Sequence, residues 1–261
     1  LELGGKSPTF IGRSANKDLV GQRVALGKMM NAGQICLAPD YLLVAEDQEG
    51  EVIDSVSKGV AALYPTLLKN DDYTSVVNGR NFDRLQGYLA DAREKGAEVI
   101  EVNPAGEDFA SANGYKMPLH IVRGATDEMK VMQEEIFGPI LPVKTYRTID
   151  EAIDYVNGHD RPLGLYYFGQ DKSEEERVLT RTISGGVTVN DVLFHNAMED
   201  LPFGGVGPSG MGNYHGVDGF RTFSHARAVY RQPKIDVAGL AGFKPPYGKA
   251  TAKTLAKELK K

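Results

Sequence analysis

Four short runs rich in β-branched and aromatic residues, YLLVA at 41–45, LPVKTY at 141–146, LYYFGQ at 165–170 and GGVTVN at 185–190, alternate along this chain with stretches of helical spacing. Parallel strands cannot be joined by a tight turn and need a crossover helix, so this alternation points to an α/β fold built on a parallel sheet. The helical signals are equally local. Residues 17–30, KDLVGQRVALGKMM, set Leu19, Val20, Val24, Leu26 and Met30 in a broadly helical pattern. Residues 79–95 put Phe82, Leu85, Leu89 and Ala92 on one face, and Gly96 stands where helices stop. Thr148 with Glu151, and Ser173 with Glu176, have the spacing of a capping box, which predicts helices over 149–157 and 174–182.

A chain of 261 residues, 41% of them hydrophobic, can bury a core as one large domain with at most a small appendage. With a net charge of −5 and its basic residues dispersed, it carries no electrostatic footprint for nucleic acid. No apolar run approaches the roughly 18 residues of a membrane span, and no secretory signal opens the sequence. His120, His159, His195, His215 and His225 are scattered without ligand spacing, so no metal site is expected. One cysteine cannot form an internal disulfide, which fits a reducing cytoplasm.

That cysteine, Cys36, lies in the loop NAGQICLAPD between a helical stretch and an extended one. A free cysteine is usually a small buried hydrophobe. A sole thiol in a glycine-bearing loop, outside any apolar run, is instead placed for chemistry. The strings around it sharpen this. LELGGKSP, carrying Glu2, stands 34 positions earlier, and EEIFGP stands at 134–139. Together with NAGQIC they resemble the catalytic half of an NAD(P)-dependent aldehyde dehydrogenase. The resemblance continues through PLGLYYFG, SGGVTVND and LPFGGVGPSGMGNYHG, covering residues 1 to about 230. SGGVTVNDVLFH and GGVGPSGMGNYHG look most like the class 3 branch, which includes fatty, aromatic and coniferyl aldehyde dehydrogenases, with a lean to the coniferyl enzymes.

The resemblance implies a nucleophilic Cys36 that adds to an aldehyde carbonyl, loses hydride to NAD or NADP, and is left as a thioester. Glu2 would activate the water that cleaves it. As residue 2 of the chain, Glu2 is also open to fraying. The backbone N–H of Cys36 can donate to the substrate oxygen, with Gly33 easing the loop and Asn31 shaping it. Glu135 and Phe137 resemble the residues that hold the nicotinamide ribose and flank its ring. Gly4, with Gly5, lets the backbone pass close to the cofactor and thiol, and Phe203 resembles a substrate-funnel aromatic with a core role competing. Lys6 receives no catalytic role, and a structural histidine is the expectation for His215. GVGPSG at 205–210 and GGKS at 4–7 mimic phosphate loops without the flanking elements those loops need. They read as structural.

Residues 1–222 are thus expected to be the thiol-bearing catalytic domain, and 223–232 a strand that pairs with a partner subunit in a homodimer. Residues 233–261 would be a linker and short amphipathic tail, with Ala252, Leu255, Ala256 and Leu259 on a face that packs on the domain rather than on anionic lipid. Leu1 opens onto a motif the family carries near its middle, so a dinucleotide-binding domain is expected to be absent from this stretch and NAD binding by it to be weak. Two alternatives stay open: acyl transfer from the thioester to coenzyme A, and an inactive oligomerising fragment with residual thiol esterase activity. The aldehyde, and NAD against NADP, are not fixed by these residues.

Overall fold

The computed structural model describes residues 1–260, which fall into two units, Leu1–Phe223 and a segment from Ser224 onward. In the first unit the strands are β1 (Pro8–Ile11), β2 (Tyr41–Ala45), β3 (Glu98–Val102), β4 (Leu119–Arg123), β5 (Ile140–Tyr146), β6 (Gly164–Phe168) and β7 (Gly186–Val189). They form one seven-stranded sheet in the order β3-β4-β5-β2-β1-β6-β7. All pairs are parallel except β3 with β4, where Val99 lies opposite Val122 and Ile100 opposite Ile121 in an antiparallel ladder. The expected parallel sheet is therefore mixed at one edge. β1, β2 and β6 are buried along their whole length, as central strands covered on both faces must be.

The helices of this unit are α1 (Lys17–Met29), α2 (Glu49–Leu63), α3 (Gly79–Glu94), α4 (Lys130–Gln133), α5 (Ile149–Asn157), α6 (Lys172–Arg181), α7 (Phe194–Ala197) and α8 (Gly216–Thr222). Val20 and Val24 of α1 and Val52, Val56 and Val60 of α2 share one core with Leu42, Val44, Tyr166 and Phe168 of the sheet. Leu85 and Leu89 of α3, Ile153 of α5 and Val178 of α6 share the other core with Phe10, Leu43, Leu165 and Tyr167. Successive residues of one strand, such as Tyr166 and Tyr167, thus feed opposite layers.

The predicted caps fare differently. Asn16 caps α1, and Thr148 accepts from the Glu151 N–H at 3.3 Å to cap α5 as expected. The helix predicted from Ser173 begins two residues earlier, because Asp171 Oδ1 takes the N–H groups of Ser173 and Glu174 at 2.9 and 3.3 Å. A carboxylate accepts more strongly than a hydroxyl at a helix start, and Ser173 Oγ itself donates to Asp171.

Beyond Phe223, residues 225–233 carry no regular structure and are exposed. A strand exists only where a neighbour supplies its ladder, and among the described residues none does. Two helices follow, α9 (Val237–Leu240) and α10 (Lys249–Glu258). They form a hairpin in which the hydroxyls of Thr251 and Thr254 donate to the carbonyls of Gly242 and Ala241 at 2.7 and 2.8 Å. Leu255 and Leu259 of α10 are 56% and 86% exposed.

Candidate functional site

The segments that precede β1, β2 and β5 meet at the amino ends of these strands. Ligands of open parallel sheets usually gather at the opposite, carboxyl ends. Here the loops that converge are 1–7, 30–40 and 134–139, the three strings singled out in the sequence.

Asp40 holds them together. It is 3% exposed, its Oδ1 accepts the Ile136 N–H at 3.0 Å, and its Oδ2 pairs with Lys6 Nζ. Lys6 also donates to the carbonyls of Val131 and Glu134 at 2.7 and 2.8 Å, tying the first loop to the third. A buried carboxylate with an ammonium partner and a backbone N–H is fully satisfied, so this staple is stable where an isolated charge would not be. In the sequence, Asp40 is marked only as a charge placed directly before an apolar strand.

The chain turns sharply into the thiol loop through three successive left-handed residues, Asn31, Ala32 and Gly33, with φ of 50°, 53° and 73°. A Cβ on Gly33 would lie 2.4 Å from the Gly138 carbonyl, so only glycine lets this loop touch EEIFGP. Asn31 Nδ2 donates to the Gln34 carbonyl at 3.0 Å, the shaping role expected of it. Gln34, unremarked in the sequence, answers with its own amide to Asn31 O at 2.9 Å and Ser75 O at 3.1 Å, while its Oε1 accepts the Val77 N–H at 2.8 Å.

Cys36 then sits half-buried in a turn closed by Ala38 N–H to Ile35 O at 2.9 Å. Burial, and after it the nearby carboxylates of Glu2 and Glu135, push the thiol up, while the backbone N–H groups of Cys36 and Leu37 donate toward sulfur and oppose them. Glu2 does not fray. It is bridged to Gly210, and on either side of it Leu3 N–H donates to Ser209 O at 2.8 Å and Met211 N–H to Leu1 O at 3.0 Å. The 205–210 loop is therefore structural, and its product is the position of Glu2. The Glu2 side chain is exposed and hydrogen-bonded to Tyr214.

Glu135 is half-buried, accepting the Gly5 N–H and held above the usual carboxylate range by burial first and Asp40 second. Gly4, at φ 82°, is so close that a Cβ would stand 2.6 Å from Glu135 Oε2. Phe137 is 41% exposed with φ 49°, presenting its ring outward. A cavity of about 520 Å³ adjoins Glu135 and is also lined by Gly5, Lys6, Tyr41 and Tyr155. Phe203 is 2% exposed and packs with Leu37 and Leu163 against Cys36, so it is a wall behind the thiol and not an open funnel face. The exposed aromatic beside it is Tyr214, edge-on to Phe203 at 5.6 Å. His215 stacks on Phe203 at 6.2 Å and bonds the Leu201 carbonyl at 3.0 Å, a structural role. Lys28, wholly buried near Asp40 and Glu135, has no hydrogen-bond partner for its Nζ, and burial pushes it down to about 8. Among the described residues no group of acidic, histidine or cysteine side chains is placed to hold a metal, and no helix is long and apolar enough to cross a membrane.

An α/β sheet carrying a half-buried thiol near two carboxylates, at the amino ends of its central strands, defines a thiol-centred site of the kind used for covalent carbonyl chemistry. The residue pattern of the Aldehyde dehydrogenase family matches residues 1–229, and the chain belongs to that family. A probable coniferyl aldehyde dehydrogenase of Caulobacter vibrioides is 57% identical over 261 residues, covering 100% of this chain and 54% of that protein. A coniferyl aldehyde dehydrogenase of a Pseudomonas species is 55% identical over 250 residues, 96% of this chain and 52% of that one. The solved substrate-bound state of Staphylococcus aureus AldH superposes with a TM-score of 0.84 at 35% identity, covering 99% of this chain and 54% of that one. The chain spans about half the length of the curated relatives it matches.

Proposed function

We propose that this chain supplies the thiol half of an aldehyde-oxidising site that works with NAD or NADP. The observation that supports this reading is that Glu2 and Glu135, carried on two other loops, lie near enough to Cys36 to act on its charge. Cys36 loses its proton and its sulfur bonds to the aldehyde carbon, the carbonyl pair moving to oxygen. Collapse of that oxyanion expels hydride, and the carbon is left as a thioester. A bound nicotinamide would supply the acceptor for that hydride. Water activated by Glu2 then adds to the thioester, the carbon–sulfur bond breaks, and the carboxylic acid leaves with the thiolate restored.

The residues fit a nicotinamide riboside. A glycine leaves the face of Glu135 uncrowded, the Glu135 carboxylate can accept from two hydroxyls, and the outward Phe137 ring offers an edge to a planar base. Because both coniferyl-named relatives match over almost the whole chain, an aromatic or otherwise bulky apolar aldehyde is the proposed substrate class. Homodimer formation through 223–232 and a cytoplasmic location complete the reading, supported by the exposed, irregular backbone of residues 225–233 and by a single free thiol.

The test is an aldehyde panel with NAD+ and with NADP+, run on the polypeptide that contains this chain and on its Cys36→Ser variant. Acid formation should fall to background in the variant. Undiminished turnover without the sulfur would overturn the reading, and formation of an acyl-coenzyme A in place of the free acid would shift it to the acylating alternative.

A further inference from the structure

Tyr166 is 0% exposed, yet its hydroxyl is used twice. It donates to the Leu37 carbonyl at 2.5 Å and accepts the backbone N–H of Leu193. Leu37 is the residue after the thiol and is itself 1% exposed, so its carbonyl has no water to turn to if that donor is lost. Leu193 is a left-handed, non-glycine residue at φ 70°, the N-cap of α7, which carries His195. The His195 ring lies between Tyr166 and Phe203, with centroids at 6.1 and 6.0 Å, and its Nδ1 is tied to Thr188 Oγ1 at 2.7 Å. One phenol therefore joins the thiol turn to the segment that leads to the wall behind it.

We propose that Tyr166 is a positioning residue for Cys36: by clamping the Leu37 carbonyl to Leu193 it fixes the Ile35–Ala38 turn so that the N–H groups of Cys36 and Leu37 stay aimed at sulfur. Those two donors favour the thiolate against burial and against Glu2 and Glu135. Tyr214 and Tyr166 itself are the other titratable groups facing the thiol, and both are neutral near pH 7, with burial pushing each phenol up. Freeing the turn weakens the two backbone donors that lower the thiol's pKa and leaves burial, Glu2 and Glu135, which raise it.

This inference rests on Cys36 being the nucleophile, and it is read out by alkylation so that it can fail separately from aldehyde oxidation. Iodoacetamide trapping of Cys36 across pH 6–10 should show the Tyr166→Phe midpoint moved upward, with trapping at pH 7 slowed about three- to ten-fold. Tyr167→Phe is the matched control. Its equally buried ring lies in the opposite core, its hydroxyl bonds Glu174 at 3.0 Å, and its loss should lower stability without moving the thiol midpoint. An unshifted midpoint in Tyr166→Phe, or an equal shift in Tyr167→Phe, overturns the clamp. Should Tyr166→Phe melt below the assay temperature, hydrogen exchange of the native chain asks the same question. Alkylating Cys36 should change protection at the Leu193 amide, and unchanged protection overturns the proposal too.

Discussion

Gly4→Ala isolates one backbone position on which the cofactor side of the site depends. Gly4 stands at φ 82°, where an L side chain costs about 1–2 kcal/mol. The added Cβ would meet Glu135 Oε2 at 2.6 Å and Oε1 at 3.1 Å, against an ordinary contact of roughly 3.4 Å. The obstructing atoms are the far end of a flexible side chain, so the clash resolves by Glu135 swinging away and surrendering its bond from the Gly5 N–H. Backbone strain therefore dominates the stability loss, which converts to a melting temperature about 2–8 °C lower for a unit of this size. Displacement of Glu135 dominates the functional loss. It is seen as weaker binding of nicotinamide cofactor and as a Cys36 alkylation midpoint moved to lower pH, because a carboxylate has left the thiol. Gly87→Ala, in α3 with open space around the added Cβ, is the control and should stabilise by roughly 0.5–1 kcal/mol. A Gly4→Ala protein that melts with wild type and keeps its cofactor affinity and thiol midpoint would refute the argument.

Glu2→Gln should leave the melting temperature unchanged, since the side chain is exposed, but slow thioester hydrolysis by about 10²–10⁴-fold; an acyl adduct on Cys36 should then persist in mass spectra, and normal turnover would rule Glu2 out as the base. Lys28→Met tests a buried charge. Burial, offset in part by Asp40, pushes Lys28 down to about 8 from 10.5, so the native chain releases a proton that the unfolded chain still holds between those pH values. Stability should rise with pH across that window in wild type, and its penalty, on the order of 3 kcal/mol, should be fully present below about pH 8. The variant should be the more stable at pH 7 and lack the slope, and parallel urea-unfolding profiles from pH 7 to 10 would contradict this. Asp171→Ala should cost about 1 kcal/mol as loss of the α6 cap, with Ser173→Ala costing less; the reverse order by denaturant melts would restore Ser173 as the cap.

Much of the sheet was visible in the order of residues because β2, β5, β6 and β7 are local runs whose composition signals strand without help. β1, β3 and β4 were missed. PTFI is only four residues long, and EVIEV is an edge strand with one buried residue, so neither has a period long enough to register. The antiparallel edge could not be foreseen either, since strand direction depends on where a crossover lands. At the site, Cys36, Glu2 and Glu135 stood out through their strings, while Asp40, Gln34 and Tyr214 did not, because each acts through partners distant in the chain.

The order of residues alone determined an α/β layer, the loop position of a sole thiol and the family it belongs to, because periodicity, turn chemistry and short strings are local properties. Only the tertiary structure decided that loops 34 and about 100 positions apart meet at the amino ends of three strands, that Glu2 is pinned by the 205–210 loop, and that Phe203 is a wall. Distance in space is set by packing of whole layers, and no single segment encodes it.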